Sequence, residues 1–218
     1  MADTASATQT VGVGPRRLDA ILRVPDDPVG LVIFAHGAGS SRFSPRNTQV
    51  AEHLGKAGMA TLLLDLLTEI EAANRARVFD IPLLSARVVD AIDWARAHPD
   101  LGDLPIGLFG SSTGAAAALV AAARRRDRVA AVVSRGGRPD LAGTALPLVS
   151  APTLLIVGGA DHVVIDLNKS AARAMMCAPR VEIVPGATHL FEEPGTLEQV
   201  IALATGWFKT HFARKIAR

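Results

Sequence analysis

Short apolar runs alternate with stretches of helical spacing along most of the 218 residues, and this alternation limits the fold more than any other feature. A continuous apolar run of this kind is typical of a strand that is buried on both faces. The runs predict strands at residues 18–24, 30–35, 59–64, 104–109, 129–133, 153–157 and 181–184, and the helical spacing predicts helices at 44–56, 81–98, 113–126, 168–177 and 195–212. Such a series predicts an α/β fold in which a parallel sheet carries helices on both faces.

Only one alternating block is present, so we expect a single domain at residues 16–218 without a separate cap domain. Residues 1–15 are small, polar and glycine-containing, and we expect them to form a flexible N-terminal tail. In an open sheet of this type, ligands bind beyond the carboxyl ends of the strands. Chemistry is therefore expected just after each strand, and the connections 65–81 and 135–151 are long enough to cover a pocket there.

Charge and cysteine content exclude several classes of protein. The formal net charge is +2, which is too small an excess to indicate nucleic-acid binding, since that needs a concentrated basic face. The single cysteine, Cys177, cannot form an internal disulfide or a multi-cysteine zinc site. The H-E-x-x-H pattern of a zinc site does not occur either. We expect no metal ion and no other cofactor.

The sequence also predicts a soluble, cytoplasmic protein. The N-terminal stretch MADTASATQT lacks the basic start and the apolar run of a signal peptide. No run reaches the roughly 18 apolar residues that a membrane span needs. We expect a monomer or homodimer that acts on a small molecule, with neither a membrane nor a nucleic acid as partner.

The clearest chemical motif is Gly110-Ser111-Ser112-Thr113-Gly114, which matches G-x-S-x-G. It follows a predicted strand and opens a predicted helix. This strand-to-helix turn, which we call the nucleophile turn, is the context in which such a motif presents a nucleophile. The turn would hold the hydroxyl of Ser112 clear of the sheet and close to a helix N-terminus, where developing negative charge is favoured. Ser111 lies one residue out of register, so we assign it a packing or supporting role.

A serine hydroxyl is a weak nucleophile and needs a base, and the base needs an acid that orients it. His189 follows the last predicted strand in a loop that can reach back over the strand ends, so we take it as the base. Asp161 follows the strand at 153–157, and we take it as the acid. Asp140 and Asp166 are the alternative acids. Along the chain the order is then nucleophile, acid, base. The same order is typical of G-x-S-x-G serines on sheets of alternating strands and helices.

The turn His36-Gly37-Ala38-Gly39, which we call the oxyanion turn, follows an early strand. Together with the turn that carries the serine, it is the candidate to bind an oxyanion. Acyl transfer needs donors aimed at the oxygen that becomes negative. We expect these donors to be the backbone N–H groups of Ala38 and Thr113, with His36 orienting the turn rather than acting as base. The turn is not a dinucleotide fingerprint, because Arg42 stands where G-x-G-x-x-G requires glycine.

With these motifs the chain resembles an α/β-hydrolase, and within that superfamily the small, capless dienelactone-hydrolase-like proteins. The resemblance covers roughly residues 18–212 and depends on HGAGSS at 36–41, GSSTG at 110–114, GGAD at 158–161 and GATH at 186–189. It implies a mostly parallel sheet of seven to eight strands and ester hydrolysis through an acyl-enzyme. Carried over to this chain, it implies Ser112 as nucleophile, Asp161 as acid, His189 as base, and Ala38 and Thr113 as oxyanion donors.

The nucleophile position departs from the pattern of the family. True dienelactone hydrolases carry cysteine there, whereas this chain carries Ser112 and its only cysteine lies in a predicted helix. We therefore expect a general carboxylesterase rather than a hydrolase of dienelactones. An acyltransferase or thioesterase with the same triad, and a catalytically silent hydrolase fold that acts as a binding protein, are the alternatives.

Three arginines follow strands and are candidate contacts for an anionic group of the substrate: Arg42, Arg46 and Arg135. Guanidinium groups pair with carboxylate or phosphate through two hydrogen bonds. The alternative is that they form surface salt bridges to neighbours such as Glu69, Glu71 or Asp140.

Apolar side chains after the strands could line an acyl pocket, and the candidates are Phe43, Phe79, Ile81 and Leu190. Aromatic residues make up only 4% of the chain, which argues against a large pocket of stacked rings. Since no cap domain is expected either, we expect a shallow site for small or short-chain esters.

Overall fold

A computed structural model describes residues 7–216 and contains one eight-stranded sheet. The strands run β1 (Ala7–Val13), β2 (Leu18–Val24), β3 (Leu31–Ala35), β4 (Ala60–Leu64), β5 (Ile106–Ser111), β6 (Val129–Arg135), β7 (Thr153–Gly158) and β8 (Arg180–Val184). Their order across the sheet is β1-β2-β4-β3-β5-β6-β7-β8. The six strands from β3 to β8 pair in parallel, and β1 and β2 pair antiparallel at one edge. The predicted α/β-hydrolase fold, with its mostly parallel sheet of seven to eight strands, is confirmed.

Seven α-helices and one 3₁₀ segment connect the strands of this described part of the chain. They are α1 (Pro45–Lys56), α2 (Glu69–Ala72), α3 (Arg75–Val78), α4 (Ile81–Ala97), α5 (Thr113–Arg124), α6 (His162–Ala174), α7 (Thr196–Ile216) and the 3₁₀ segment Pro139–Leu148. None of these helices is long and apolar enough to cross a membrane. The connections within residues 7–216 carry short helices and no cap domain.

The central strands of the sheet are buried on both faces, as their continuous apolar sequences predict. Helices α4 and α5 cover one face, with apolar contacts such as Val88, Ile92 and Leu119. Helices α1 and α7 cover the other face, where Phe208 and Phe212 pack against β3 and β5. Because neither face of β3, β5 or β7 meets water, every residue of these strands is buried.

The prediction of a flexible tail at residues 1–15 is wrong from residue 7 onward. Residues 7–13 form β1, which pairs along its whole length with β2, and the turn closes with the N–H of Arg17 donating to the carbonyl of Gly14 at 3.0 Å. The strand escaped prediction because an edge strand gains its order from backbone pairing on one side and needs little apolar sequence. Residues 1–6 lie outside the described residues.

Helix α6 begins at His162, six positions before the predicted start at 168. The β-branched run Val163-Val164-Ile165 favours a strand by propensity, which hid the first turn. Strand β6 likewise extends two residues past its predicted end, because Ser134 and Arg135 pair with the end of β5. The extension brings Arg135 beside the nucleophile motif.

One buried carboxylate, that of Glu71, fixes the position of the connection between β4 and α4. Glu71 is 4% exposed and lies 3.1 Å from guanidinium nitrogens of both Arg87 and Arg77. Its other oxygen accepts the N–H of Thr68 at 3.0 Å, which completes a capping box on α2. This hydrogen bond, together with the charge of Arg87, keeps the pKa of Glu71 below its usual value of 4.5. Glu71 therefore anchors the segment that forms one wall of the larger cavity described below.

Glu71→Ala should lower the free energy of unfolding by about 3 kcal/mol at neutral pH, because it leaves the buried cation of Arg87 without its main partner. A carboxylate with a lowered pKa stabilises the fold above its unfolded pKa, and this contribution disappears as the pH falls through the folded pKa. The difference between variant and wild type should therefore shrink in acid. Urea unfolding at neutral and acidic pH measures it, with the exposed Glu69→Ala as control. A difference that is independent of pH would contradict this account.

Candidate active site

Ser112 lies at the turn between β5 and α5 with a strained backbone. Its φ of 50° and ψ of −122° fall outside the regions that side-chain-bearing residues prefer. The turn is possible because its neighbour Gly114 lacks a side chain: a Cβ there would lie 2.1 Å from the carbonyl oxygen of Ala35. The sharp turn sets Ser112, half-buried, at the N-terminus of α5.

Asp161 and His189 come together from two separate strand ends. Asp161 follows β7 at the start of α6, and His189 lies in the loop after β8. Nδ1 of His189 is 2.7 Å from Oδ2 of Asp161, and the two side chains are 38% and 17% exposed. The carboxylate accepts the proton on Nδ1, which leaves Nε2 as the nitrogen able to accept a proton.

Two residues that the sequence analysis did not single out position the His189 loop. Glu193 accepts the backbone N–H of Thr188 at 3.1 Å. Gly136 lies directly against the loop, where a Cβ would come within 2.9 Å of the His189 carbonyl oxygen. The glycine pair after a strand was a visible signal for Gly136, whereas nothing local in the sequence points to Glu193.

Ser112 and His189 line one cavity of about 310 Å³ together with the oxyanion turn, Arg135 and Leu190. Leu190 is 42% exposed at its rim. Among the described residues, the Ser112 hydroxyl makes no hydrogen bond to His189. Bonds of this kind are often long in empty sites and tighten when substrate binds.

His36 orients the turn that follows β3. Its Nδ1 lies 2.9 Å from the carbonyl oxygen of Gly37, and its Nε2 accepts the N–H of Leu66 at 3.1 Å. Burial lowers the pKa of His36, so the ring is neutral and both its nitrogens are engaged. This arrangement ties the turn to the β4 end and leaves no nitrogen of His36 free to act as base.

The N–H of Ala38 points at the nucleophile turn. It donates to the side-chain hydroxyl of Thr113 at 3.0 Å. Ala38 and Thr113, the two predicted oxyanion donors, are thus in direct contact. The hydroxyl of Thr113 occupies the acceptor position that an oxyanion would take on the Ala38 N–H.

Arg42 and Arg46 are engaged by carboxylates other than those suggested by the sequence. The guanidinium of Arg42 binds Asp65 and lies 3.2 Å from Asp19, and its backbone N–H also donates to Asp65 at 2.6 Å. Arg46 pairs with Glu192 at 2.8 Å. These ion pairs favour the salt-bridge interpretation for both arginines.

Arg135 is different, because it is 6% exposed and has no carboxylate within 4.0 Å among residues 7–216. Its Nη2 donates to Ser111 Oγ at 2.9 Å and to Asn47 Oδ1 at 3.4 Å, and its Nη1 donates to the carbonyl of Leu190 at 3.5 Å. Burial lowers the pKa of Arg135 to about 10, and the charge of Arg46 acts in the same direction. The side chain is therefore still a cation at neutral pH.

Comparison with known proteins defines the class to which this fold and site belong. Residues 18–211 match the model of the dienelactone hydrolase family. A crystal structure of dienelactone hydrolase from Anabaena variabilis is 53% identical, covers 94% of this chain and 97% of that one, and superposes with a TM-score of 0.90. The protein has the α/β-hydrolase fold. It belongs to the dienelactone hydrolase family.

One solved structure of lower sequence identity and two longer proteins of high identity also match the chain. Est1E from Butyrivibrio proteoclasticus has the same fold at 18% identity, with a TM-score of 0.78 over 95% of this chain and all of that one. Two Mycobacterium tuberculosis proteins, from strains CDC 1551 and H37Rv, are 59% identical over 201 residues and are provisionally named phosphoribosyl transferases. The match covers 92% of this chain and 45% of theirs, so the chain spans less than half of their length.

Asp161→Asn should keep the fold and lower kcat for ester hydrolysis by about 10⁴-fold, because an amide cannot hold His189 in the tautomer that leaves Nε2 free. The exposed Asp166→Asn, from an alternative acid on the same helix, should leave kcat unchanged. Steady-state kinetics on a short p-nitrophenyl ester measures both. Equal losses in the two variants would remove Asp161 from the site.

Proposed function

We propose that the chain hydrolyses small carboxylic esters through a covalent acyl-enzyme on Ser112. The observation that carries the proposal is the 2.7 Å contact between His189 and Asp161, on the same cavity as a serine held in a strained turn. A nucleophile, a base and an acid that orients the base are the parts that acyl transfer requires.

In the proposed reaction, Nε2 of His189 takes the proton of the Ser112 hydroxyl as its oxygen attacks the ester carbonyl. Asp161 stabilises the imidazolium that forms. His189 then gives the proton to the departing alcohol, which leaves the acyl group on Ser112. Water enters, loses a proton to His189 and attacks the acyl carbonyl. His189 then returns this proton to the oxygen of Ser112 as the bond between that oxygen and the acyl carbon breaks, which releases the acid and restores the free enzyme.

The negative oxygen of the tetrahedral intermediate would be bound by the N–H groups of Ala38 and Thr113. The Ala38 N–H already donates to the Thr113 hydroxyl at 3.0 Å, so that hydroxyl has to turn aside or share the donor when substrate binds. The N-terminus of α5 adds favourable potential for an anion at this point.

Two cavities on either side of the oxyanion turn suit the two halves of an ester. The smaller one, about 310 Å³, contains Ser112 and His189, and the larger one, about 590 Å³, reaches Thr113 and the anchored connection after β4. Residues 37–40 line both cavities. Phe43 lines the larger cavity but is 62% exposed, and Phe79 is 51% exposed, so neither ring closes an acyl pocket. We therefore propose small or short-chain esters as substrates.

Thioester hydrolysis and acyl transfer use the same groups and differ in the leaving group or in the nucleophile that attacks the acyl-enzyme. The transferase name of the longer relatives belongs to proteins more than twice the length of the matched segment. The proposal therefore concerns the segment shared with them and its hydrolase-family residues.

Ser112→Ala should abolish turnover of a short p-nitrophenyl ester, with a loss of about 10⁴- to 10⁶-fold, and should leave the circular dichroism spectrum unchanged. The wild type should react covalently with a fluorophosphonate probe, and the variant should not. Ser170→Ala, an exposed serine on α6, is the control and should label like the wild type. If native protein fails to label beside a known serine hydrolase, the binding-protein alternative gains support.

A series of p-nitrophenyl esters should show kcat/KM rising over the shortest acyl chains and falling once the chain exceeds the smaller cavity. Each buried methylene adds about 0.8 kcal/mol of binding while it stays inside the pocket, and nothing once it lies in water. Matched thioesters in the same panel separate esterase from thioesterase activity. A continuous rise to long chains would contradict a shallow site.

A further inference from the structure

The buried side chain of Arg135 contacts the neighbours of the nucleophile and of the base. Ser111, its closest partner at 2.9 Å, precedes Ser112, and Leu190, whose carbonyl it reaches at 3.5 Å, follows His189. We propose that Arg135 is a positioning residue that fixes the His189 loop relative to the nucleophile turn. This inference depends on the proposed function, because it concerns the same site.

The backbone of Arg135 adds to the connection. Arg135 is paired with Ser111 across β5 and β6, and its carbonyl oxygen accepts the N–H of Ser112 at 3.4 Å. Its guanidinium also reaches Asn47 on α1, the helix that follows the oxyanion turn, and lies 5.9 Å from the ring centroid of Phe191. One side chain thus joins three segments that carry the nucleophile, the base and the approach to the oxyanion turn.

Stability alone does not account for a buried arginine here. A cation away from water costs several kcal/mol unless it is paired, and an apolar side chain of similar volume would avoid that cost. The partners of Arg135 are a hydroxyl, an amide oxygen and a carbonyl, all of them neutral. A guanidinium holds its donors in a rigid planar fork that fixes the directions of several acceptors, whereas an ammonium has three rotatable donors on one atom and an apolar chain has none.

The position of Asn47 supports this assignment. Helix α1 buries Asn47, Val50, Ala51 and Leu54 on one face, so the single polar residue of that stripe is the one that meets Arg135. Its Oδ1 also lies 3.2 Å from Ser111 Oγ. Arg135, Ser111 and Asn47 therefore form one closed hydrogen-bonded group directly behind the nucleophile turn.

The effect of such a group should fall on the chemical step. Ser112 and His189 sit on different loops, and a displacement of about 1 Å between reacting groups can cost about 100-fold in rate. Arg135→Met should therefore lower kcat for a neutral short-chain ester about 100-fold and change KM by less than about threefold. Arg135→Lys, which keeps the charge but not the planar donors, should lose nearly as much.

Chemical rescue separates positioning from general damage to the fold. Guanidinium ion, at concentrations below those that unfold the protein, should restore part of kcat to Arg135→Ala, whose short side chain leaves room for the ion, and should leave the wild type unchanged. Arg125→Met, at a half-buried arginine paired with Asp93, is the matched control and should keep full kcat. Thermal melting of each variant reports whether the fold persists.

A double-mutant cycle tests the contact with Ser111. Ser111→Ala removes the strongest acceptor and should lower kcat about tenfold, and in the double variant with Arg135→Lys the losses should not multiply. If Arg135→Met does not fold, Ser111→Ala and Arg135→Lys still test whether Arg135 positions the site. A folded Arg135→Met or Arg135→Lys with wild-type kcat, or losses that multiply fully, would overturn the proposal.

The competing role for Arg135 is to bind an anionic group of the substrate, as its sequence position first suggested. In that case Arg135→Met would raise KM for a half-ester of succinic acid and leave the neutral ester unaffected, which would also overturn positioning. Equal losses of kcat on the neutral ester and on the half-ester support the positioning role of Arg135. If the wild type cleaves no ester and reacts with no fluorophosphonate, it is the proposed function that fails, independently of Arg135.

Discussion

The strained backbone of Ser112 is the constraint on which the rest of the site depends. A residue with a side chain at φ 50° and ψ −122° costs roughly 1–3 kcal/mol and persists only where its surroundings impose it. Here β5 is buried in the middle of the sheet, and Gly114 packs against the carbonyl of Ala35. The core that buries β5 and α5 therefore maintains the turn, so the large apolar clusters on both faces of the sheet also maintain the geometry of the candidate site.

Much of this arrangement could be predicted because it follows from the chain's local pattern. Buried parallel strands have continuous apolar sequences, and the topology then places the loops after their carboxyl ends at one edge of the sheet. That is why Asp161 and His189, which are 28 residues apart, could be paired from their positions after β7 and β8, and their contact is 2.7 Å.

What escaped prediction at the site depends on partners that are distant in sequence. Arg42 takes its partners from β2 and from the end of β4, each 23 positions away. The hydroxyl of Thr113 contacts a backbone N–H 75 positions away. No local pattern marks such pairings, because each depends on how the loops at the strand ends come together in three dimensions.

Two buried arginines show how differently the fold uses the same charge. Arg87 faces the buried carboxylate of Glu71, so its charge is neutralised and the pair anchors a connection. Arg135 faces neutral oxygens only and keeps its charge inside the cavity that contains Ser112 and His189. Its donors reach Ser111, Asn47 and the carbonyl of Leu190, so under the proposed function its role is to hold the nucleophile turn and the His189 loop in place. The energetic cost of burying Arg135 is therefore incurred where a fixed geometry between two loops is needed, whereas the pair of Arg87 and Glu71 anchors a connection.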